Sequence, residues 1–278
     1  DDVEDRRAIV SRLAELAAAA GHTPATALVH ARVPVAKLVE RETGLACDVC
    51  INNSLAVVNT KLLRDYTRID PRLRQLAYAV KHWAKARKVN EPYKGTLSSY
   101  CYVLMCIHLL QQRAPPILPC LQTMKPFTHA RNVGGRQCNF YDQVDNLSNF
   151  GALNSESLAD LLYAFFDYWA WQHDYTNTVV SVRTGGYLTK ARKDWTKRVG
   201  SERHLICVED PFELSHDLGR IVDKHSIRVL RDEFVRAWRI LTDEDDPVPA
   251  LFAEYVEEPK KEPKEDGGKG EGEGAGEA

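Results

Sequence analysis

The sequence predicts an α+β fold, with a short α/β unit at the N-terminus and a larger, mostly helical region after it. Three observations predict this. Residues 26 to 40, TALVHARVPVAKLVE, alternate and are rich in β-branched side chains. From Ser54 onward, apolar residues recur at helical spacing in several successive segments. Residues 6 to 20, RRAIVSRLAELAAAA, place a helix with apolar residues at helical spacing ahead of those strands.

The elements follow in order. RRAIVSRLAELAAAA, 6 to 20, is built of strong helix formers and meets its stop signal at Gly21. The β-rich stretch after it is broken at Pro34, and ACDVCI, 46 to 51, continues as strand. LAVVNTKLLRDY opens the helical region. Asp70 followed by Pro71 reads as an N-cap and first helical residue for a helix ending near Lys88. TLSSYCYVLMCIHLLQQR is apolar enough to be a central core helix, ended by APPILPCLQ. Residues 122 to 149 read as a long, polar, irregular insertion, and 155 to 173 return to helix. VVSVRTGGYLTK is a strand and turn, and SIRVLRDEFVRAWRIL, 226 to 241, a last amphipathic helix. Beyond Tyr255 the chain is mostly Glu, Lys, Gly and Pro, a composition that predicts a disordered acidic tail.

The 278 residues are 44% hydrophobic and 27% charged, with a net charge of −2, so any nucleic-acid binding must come from local basic patches. The longest apolar run, CYVLMCIHLL, falls far short of the roughly 20 residues that a membrane helix needs, and no leader peptide is visible. Seven irregularly spaced cysteines do not form a disulfide framework. CDVC, 47 to 50, has no second CxxC to complete a zinc site, so its cysteines are expected to be buried strand thiols in a reducing, intracellular protein.

Three segments carry candidate chemistry. In KHWAK, Lys81 and Lys85 leave one face of a helix, suited to an anion such as a triphosphate and equally to a solvated basic face. In GTLSSYCYVL, hydroxyls gather at a helix N-terminus, where they either cap the helix or bind phosphate, and Tyr100 could offer its ring to a base. In VEDPFELSHDLGR, Glu209, Asp210 and Glu213 gather with His216 around a Pro-Phe turn, a pattern unlike any standard metal site. An acid that orients an imidazole could instead read a base edge. An acidic surface loop is the other reading.

Together with CDVCINNSLAVVNT, SLADLLYAFFDYWAW and GGYLTK, these motifs resemble the poly(A) polymerase and terminal uridylyltransferase family of DNA polymerase β-like nucleotidyltransferases, from about Val29 to Tyr255. The poly(U) polymerases are the nearest pattern. The resemblance implies that residues 1 to 52 are the C-terminal part of a nucleotidyltransferase palm domain. Residues 53 to 256 would be the helical central, PAP-associated domain, and 257 to 278 the tail. It implies transfer of UMP from UTP to an RNA 3′ end by a monomeric cytoplasmic enzyme, using Mg²⁺ or Mn²⁺. The alternatives are a poly(A) polymerase using ATP and an inactive nucleotide- or RNA-binding member.

Residue by residue, the resemblance makes Asp48 a catalytic metal-site carboxylate and assigns Lys81, Lys85 and Ser99 to the triphosphate. Asn59 goes to the ribose, Asn53 to the neighbourhood of the base, Tyr100 to base stacking, Asp210 and Glu213 to support of the loop, and His216 to uracil O4. The family's other two carboxylates, an Asp-x-Asp pair after a Gly-Ser turn, have no counterpart here, and Asp1 and Asp2 do not replace them. The sequence therefore reads as a fragment that begins after that pair and is inactive alone. KARKDWTKRVGSER, 190 to 203, with basic residues around Trp195, is a candidate for RNA backbone contact or a solvated loop.

Overall fold

A computed structural model describes residues 3–31, 33–200 and 202–256. Asp1, Asp2 and the tail from 257 to 278 lie outside the described residues.

The N-terminal unit is one helix on a small sheet. Helix α1 (Val3–Ala19) packs over antiparallel strands β1 (Ala25–Leu28), β2 (Val35–Val39) and β3 (Ala46–Cys50), in the order β1-β2-β3. Its own small core is Val10, Ala14 and Ala36, a cluster separate from the main core. β3 is an edge strand that is mostly exposed, which corrects the expectation of buried thiols: Cys47 is half-buried and Cys50 exposed, and all seven cysteines are free.

The helical region begins at α2 (Ser54–Ile69) and continues through α3 (Pro71–Ala86) and α4 (Ser99–Gln112). The Asp70 carboxylate accepts from the Arg72 backbone N–H at 2.9 Å, with Pro71 in the first turn, as the sequence predicts. The Arg72 guanidinium also grips both Asp70 oxygens and donates to the carbonyls of Gly151 and Asn154, tying the start of α3 to a distant loop. Asp70→Ala should therefore cost more than an isolated cap, about 2 kcal/mol. Chemical denaturation checks this, and a loss below about 0.5 kcal/mol would show that Arg72 holds the junction without its carboxylate.

α4 is the central helix, buried along almost its whole length. Around it lie α5 (Leu158–Asp167), extended by a π-helical turn Tyr168–Gln172, and α6 (Lys224–Asp243). Trp83 meets Phe166 edge-on at 4.8 Å and stacks on Phe234 at 5.4 Å, so α3, α5 and α6 share one aromatic centre. Arg87 and Glu233 close the α3–α6 contact with two 2.9 Å hydrogen bonds. A short helix, α7 (Pro247–Leu251), follows.

The insertion is more ordered than its composition predicts. It forms a small hairpin of β4 (Asn132–Val133) and β5 (Arg136–Gln137), and it buries Cys138, Phe140 and Val144 in the main core. A second hairpin, β6 (Thr178–Ser181) with β7 (Gly186–Thr189), borders the loop that follows Val208 through the Val180–Val208 bridge.

Candidate nucleotide site

Asp48 stands on β3 opposite Lys37, whose ammonium lies 3.3 Å from its carboxylate. Both side chains are more than half exposed, so water screens the pair. One carboxylate already facing a lysine does not make a two-metal centre. Among the described residues, the group of three metal-capable side chains that lie close together is His204, Cys207 and Asp217, which does not include Asp48. That buried group is itself a packed polar node. The Asp217 carboxylate is 2.8 Å from His204 Nδ1 and accepts from the N–H groups of Val208 and Gly219, and the buried Lys190 ammonium donates to the His204 carbonyl.

β3 runs through Asn52, in the left-handed region at φ 52°, into α2. Asn53 lines a cleft of about 710 Å³ with Cys50, Val57, Lys61 and Arg64. Asn59, one turn and a half further along α2, is half-buried, and its amide Oδ1 is enclosed without a hydrogen-bond partner. Lys81 and Lys85 emerge from one face of α3 and are both exposed, as their spacing predicts.

At the start of α4 the left-handed Gly95, φ 82°, turns the chain, and Ser98 caps the helix through the Cys101 N–H at 3.2 Å. Ser99 is thereby released from capping, and its hydroxyl accepts from Asn90 Nδ2 at 2.8 Å. Tyr100 is half-buried and donates its hydroxyl to Asp210 at 3.2 Å, which holds the tip of the side chain against the loop at 209 to 217. Burial, reinforced by the Asp210 charge, pushes the phenol well above its ordinary range.

The loop itself is a turn closed by backbone pairing. Val208 lies parallel to β6 at Val180, Glu209 pairs with Asp217, and the Asp210 N–H donates to the His216 carbonyl at 3.1 Å. Within the turn, Asp210 Oδ1 accepts from the N–H groups of Phe212 and Glu213 at 2.9 and 2.8 Å. Burial raises the Asp210 pKa despite those donors. Glu213 meets Arg136 at 2.7 Å, and His216 Nδ1 lies 3.1 Å from an Arg220 guanidinium nitrogen. Gly219 closes the loop because a Cβ there would sit 1.9 Å from the Ile206 carbonyl oxygen.

One expectation changes here. Glu209 is not part of an acidic surface: its side chain is fully buried, bonded to Ser181 at 2.6 Å, Lys193 at 2.7 Å and Arg183 at 3.2 Å. Burial pushes its carboxyl up, and these donors outweigh that and leave it below the ordinary value. In the segment 190 to 203, Arg192, Lys197 and Arg198 are exposed, while other groups have internal partners. Trp195 is only 7% exposed and stacks flat on His204, with 3° between the planes, while Lys190 and Lys193 are consumed by internal partners.

The structure thus joins Ser99, Tyr100, Asp210, Glu213 and His216 around the start of α4, whereas Asp48 lies on β3 and Asn53 directly precedes α2. Arg136, Arg220 and Asn90, which hold Glu213, His216 and Ser99, carry no sequence signal of their own.

A small antiparallel sheet thus leads into a helical body, and a helix start bearing hydroxyls and a tyrosine meets a loop of acids and a histidine. Residues 1–68 match the model of the central palm domain of mitochondrial-like poly(A) RNA polymerase, and 157–216 match that of the Cid1 family of poly(A) polymerases. The terminal uridylyltransferase cid1 of Schizosaccharomyces pombe is 38% identical over 257 residues, and the poly(A) RNA polymerase cid13 of the same yeast is 37% identical over 213. These matches cover 86% and 76% of this chain but 63% and 36% of the two relatives, so the chain spans less than two thirds of either. Solved structures of Cid1 with the UTP analog UMPNPP and with its short product ApU superpose at TM-scores of 0.79 and 0.78. Each is 36% identical, and the match covers 89% of this chain and 78% of the other. The chain belongs to the Cid1-like family of terminal uridylyltransferases and poly(A) polymerases.

Proposed function

We propose that this chain supplies the nucleotide-reading part of an RNA 3′-terminal uridylyltransferase, in which an RNA 3′-hydroxyl attacks the α-phosphate of UTP and releases pyrophosphate. The observation that carries the reading is the Tyr100–Asp210 contact, which sets an aromatic face at the start of α4 against the loop that holds His216. The likeness to Cid1, solved with a UTP analog and with ApU, supports it.

In this reading the exposed ammoniums of Lys81 and Lys85 neutralise the triphosphate, and the Ser99 hydroxyl, positioned by Asn90, donates to it. Asn59 contacts the ribose hydroxyls, and Asn53 stands near the base. The Tyr100 ring stacks on the base, Asp210 and Glu213 hold the loop, and His216 donates to uracil O4. Mg²⁺ or Mn²⁺, where bound, supplies Lewis-acid charge stabilisation at the α-phosphate. Asp48 would be one of its ligands, and a complete site requires further carboxylates. RNA as acceptor, monomeric state and cytoplasmic residence belong to the same proposal, as does a division at residue 52 between palm and central regions. No helix of the described residues is long and apolar enough to cross a membrane.

The test is nucleotide titration of two Tyr100 variants. Tyr100→Ala should weaken UTP binding about 10–100-fold through lost stacking, while Tyr100→Phe, which keeps the ring, should lose about 10-fold or less. Unchanged affinity in Tyr100→Ala would remove the base from this place.

A further inference from the structure

We infer that Arg220 is a specificity-determining positioning residue: it holds His216 in the tautomer whose Nε2 carries the proton. The inference rests on the proposed reading of uracil by His216 and adds the cause of its hydrogen-bond polarity.

A guanidinium nitrogen of Arg220 lies 3.1 Å from His216 Nδ1. Arginine has donors only and does not lose its charge in proteins. An Nδ1–H facing it would set donor against donor, and an imidazolium would also set cation against cation. Nδ1 must therefore be the acceptor, which leaves the single imidazole proton on Nε2.

Arg220 is itself held in place. The same guanidinium nitrogen is 3.3 Å from the Glu202 carboxylate, and the Arg220 carbonyl accepts from the Arg203 N–H at 3.1 Å. Glu202 reaches the His204 ring at 3.7 Å, and His204 is fixed by Asp217 at 2.8 Å and by its stack on Trp195. A connected set of polar groups thus runs from the buried Asp217–His204 pair to the exposed face of the loop. This gives the 190 to 203 segment, through Glu202, and the buried His204 node a role in setting the nucleotide site.

The chemical consequence is polarity. Uracil O4 is an acceptor, while the corresponding amino groups of adenine and cytosine are donors. An Nε2–H histidine suits the first and opposes the other two. Without Arg220 a neutral imidazole exchanges its proton between nitrogens, and the Nδ1–H form accepts an amino group through Nε2 as well as the Nε2–H form donates to a carbonyl. Selectivity should then fall without loss of the imidazole.

The experiment has two arms on the full chain. Long-range proton–nitrogen NMR of the ¹⁵N-labelled protein, with the ring assigned by its disappearance in His216→Gln, should show a single Nε2–H tautomer without any nucleotide. Arg220→Ala should shift those nitrogens toward a mixture, and Arg220→Lys, which still offers a donor, should restore them. Titrated with UTP and ATP, Arg220→Ala should lose about 5–10-fold of the UTP preference, and Arg220→Lys should recover most of it. An Nδ1–H tautomer in the wild type, or a wild-type nitrogen pattern and unchanged preference in Arg220→Ala, would overturn the inference. Should the wild type show the Nε2–H tautomer and yet bind UTP and ATP equally, the uridine reading fails and the Arg220–His216 tautomer lock stands.

Discussion

Replacing His216 by alanine should relax the preference for UTP over ATP by roughly 10–100-fold, equivalent to about 1.5–3 kcal/mol. Two effects add. The uracil O4 loses its donor, and the adenine amino group loses the donor that opposed it. The substitution should leave the loop in place, because His216 is tied into it through its backbone: the His216 N–H donates to the Glu213 carbonyl at 2.7 Å, and its carbonyl accepts from Asp210. The change should therefore appear as a gain for ATP and a loss for UTP, rather than as a common loss. Equilibrium titration of wild type and His216→Ala with both nucleotides checks this. An unchanged ratio would remove His216 from base recognition, and a parallel loss for both would place it in holding the loop.

The largest effect on stability should come from Glu209. Its side chain is fully buried and carries three hydrogen-bonding partners, of which the Lys193 and Arg183 side chains are 13% and 31% exposed. Glu209→Ala leaves those cations facing a cavity without their counter-ion, and should cost about 3 kcal/mol, the lower end of the range for breaking a buried pair because Arg183 can turn to water. The pH dependence has a definite sign. The folded-state pKa of Glu209 lies below its ordinary value of 4.5, so its contribution is fully present above that pH and is lost as pH falls below 4.5 through the depressed folded value. Glu209→Gln should therefore be less stable than wild type at neutral pH and lose less on acidification. Urea midpoints at pH 7 and in the acid range check both statements. Equal stability of Glu209→Ala and wild type at pH 7 would mean that the charges are solvated by other groups.

How much of this was legible in the sequence follows from the range of each interaction. Asp70-Pro71 marks a helix start because capping is local, with the carboxylate serving an N–H two residues on. Lys81 and Lys85 share an exposed face because helical geometry alone requires it. β3 was legible as a strand, but its exposure was not, since burial of a strand depends on which neighbours cover it. The insertion from 122 to 149 looked irregular because its order is tertiary: Phe140 and Val144 are buried by residues far along the chain.

The site shows the same division. The motif residues around Tyr100 and His216 stand out by type and spacing, and the structure brings them to one place. Their supports do not stand out. Arg136 reaches Glu213 across 77 residues, and Ser181 reaches Glu209 across 28. An arginine or serine in a loop carries no local mark of such a partner. In the 190 to 203 segment, composition records which groups are present and not which are already satisfied. The Lys190 and Lys193 ammoniums are spent on the Tyr175 and His204 carbonyls and on Glu209.

The central claim is that the start of α4 and the 210–216 loop together read uracil. Titration of the full chain with UTP and with ATP in the presence of Mg²⁺, by calorimetry or fluorescence, tests it most directly. UTP should bind clearly tighter, by at least about 10-fold, the scale of one well-placed hydrogen bond gained by one base and opposed by the other. Equal binding of the two nucleotides, or a preference for ATP, would contradict it.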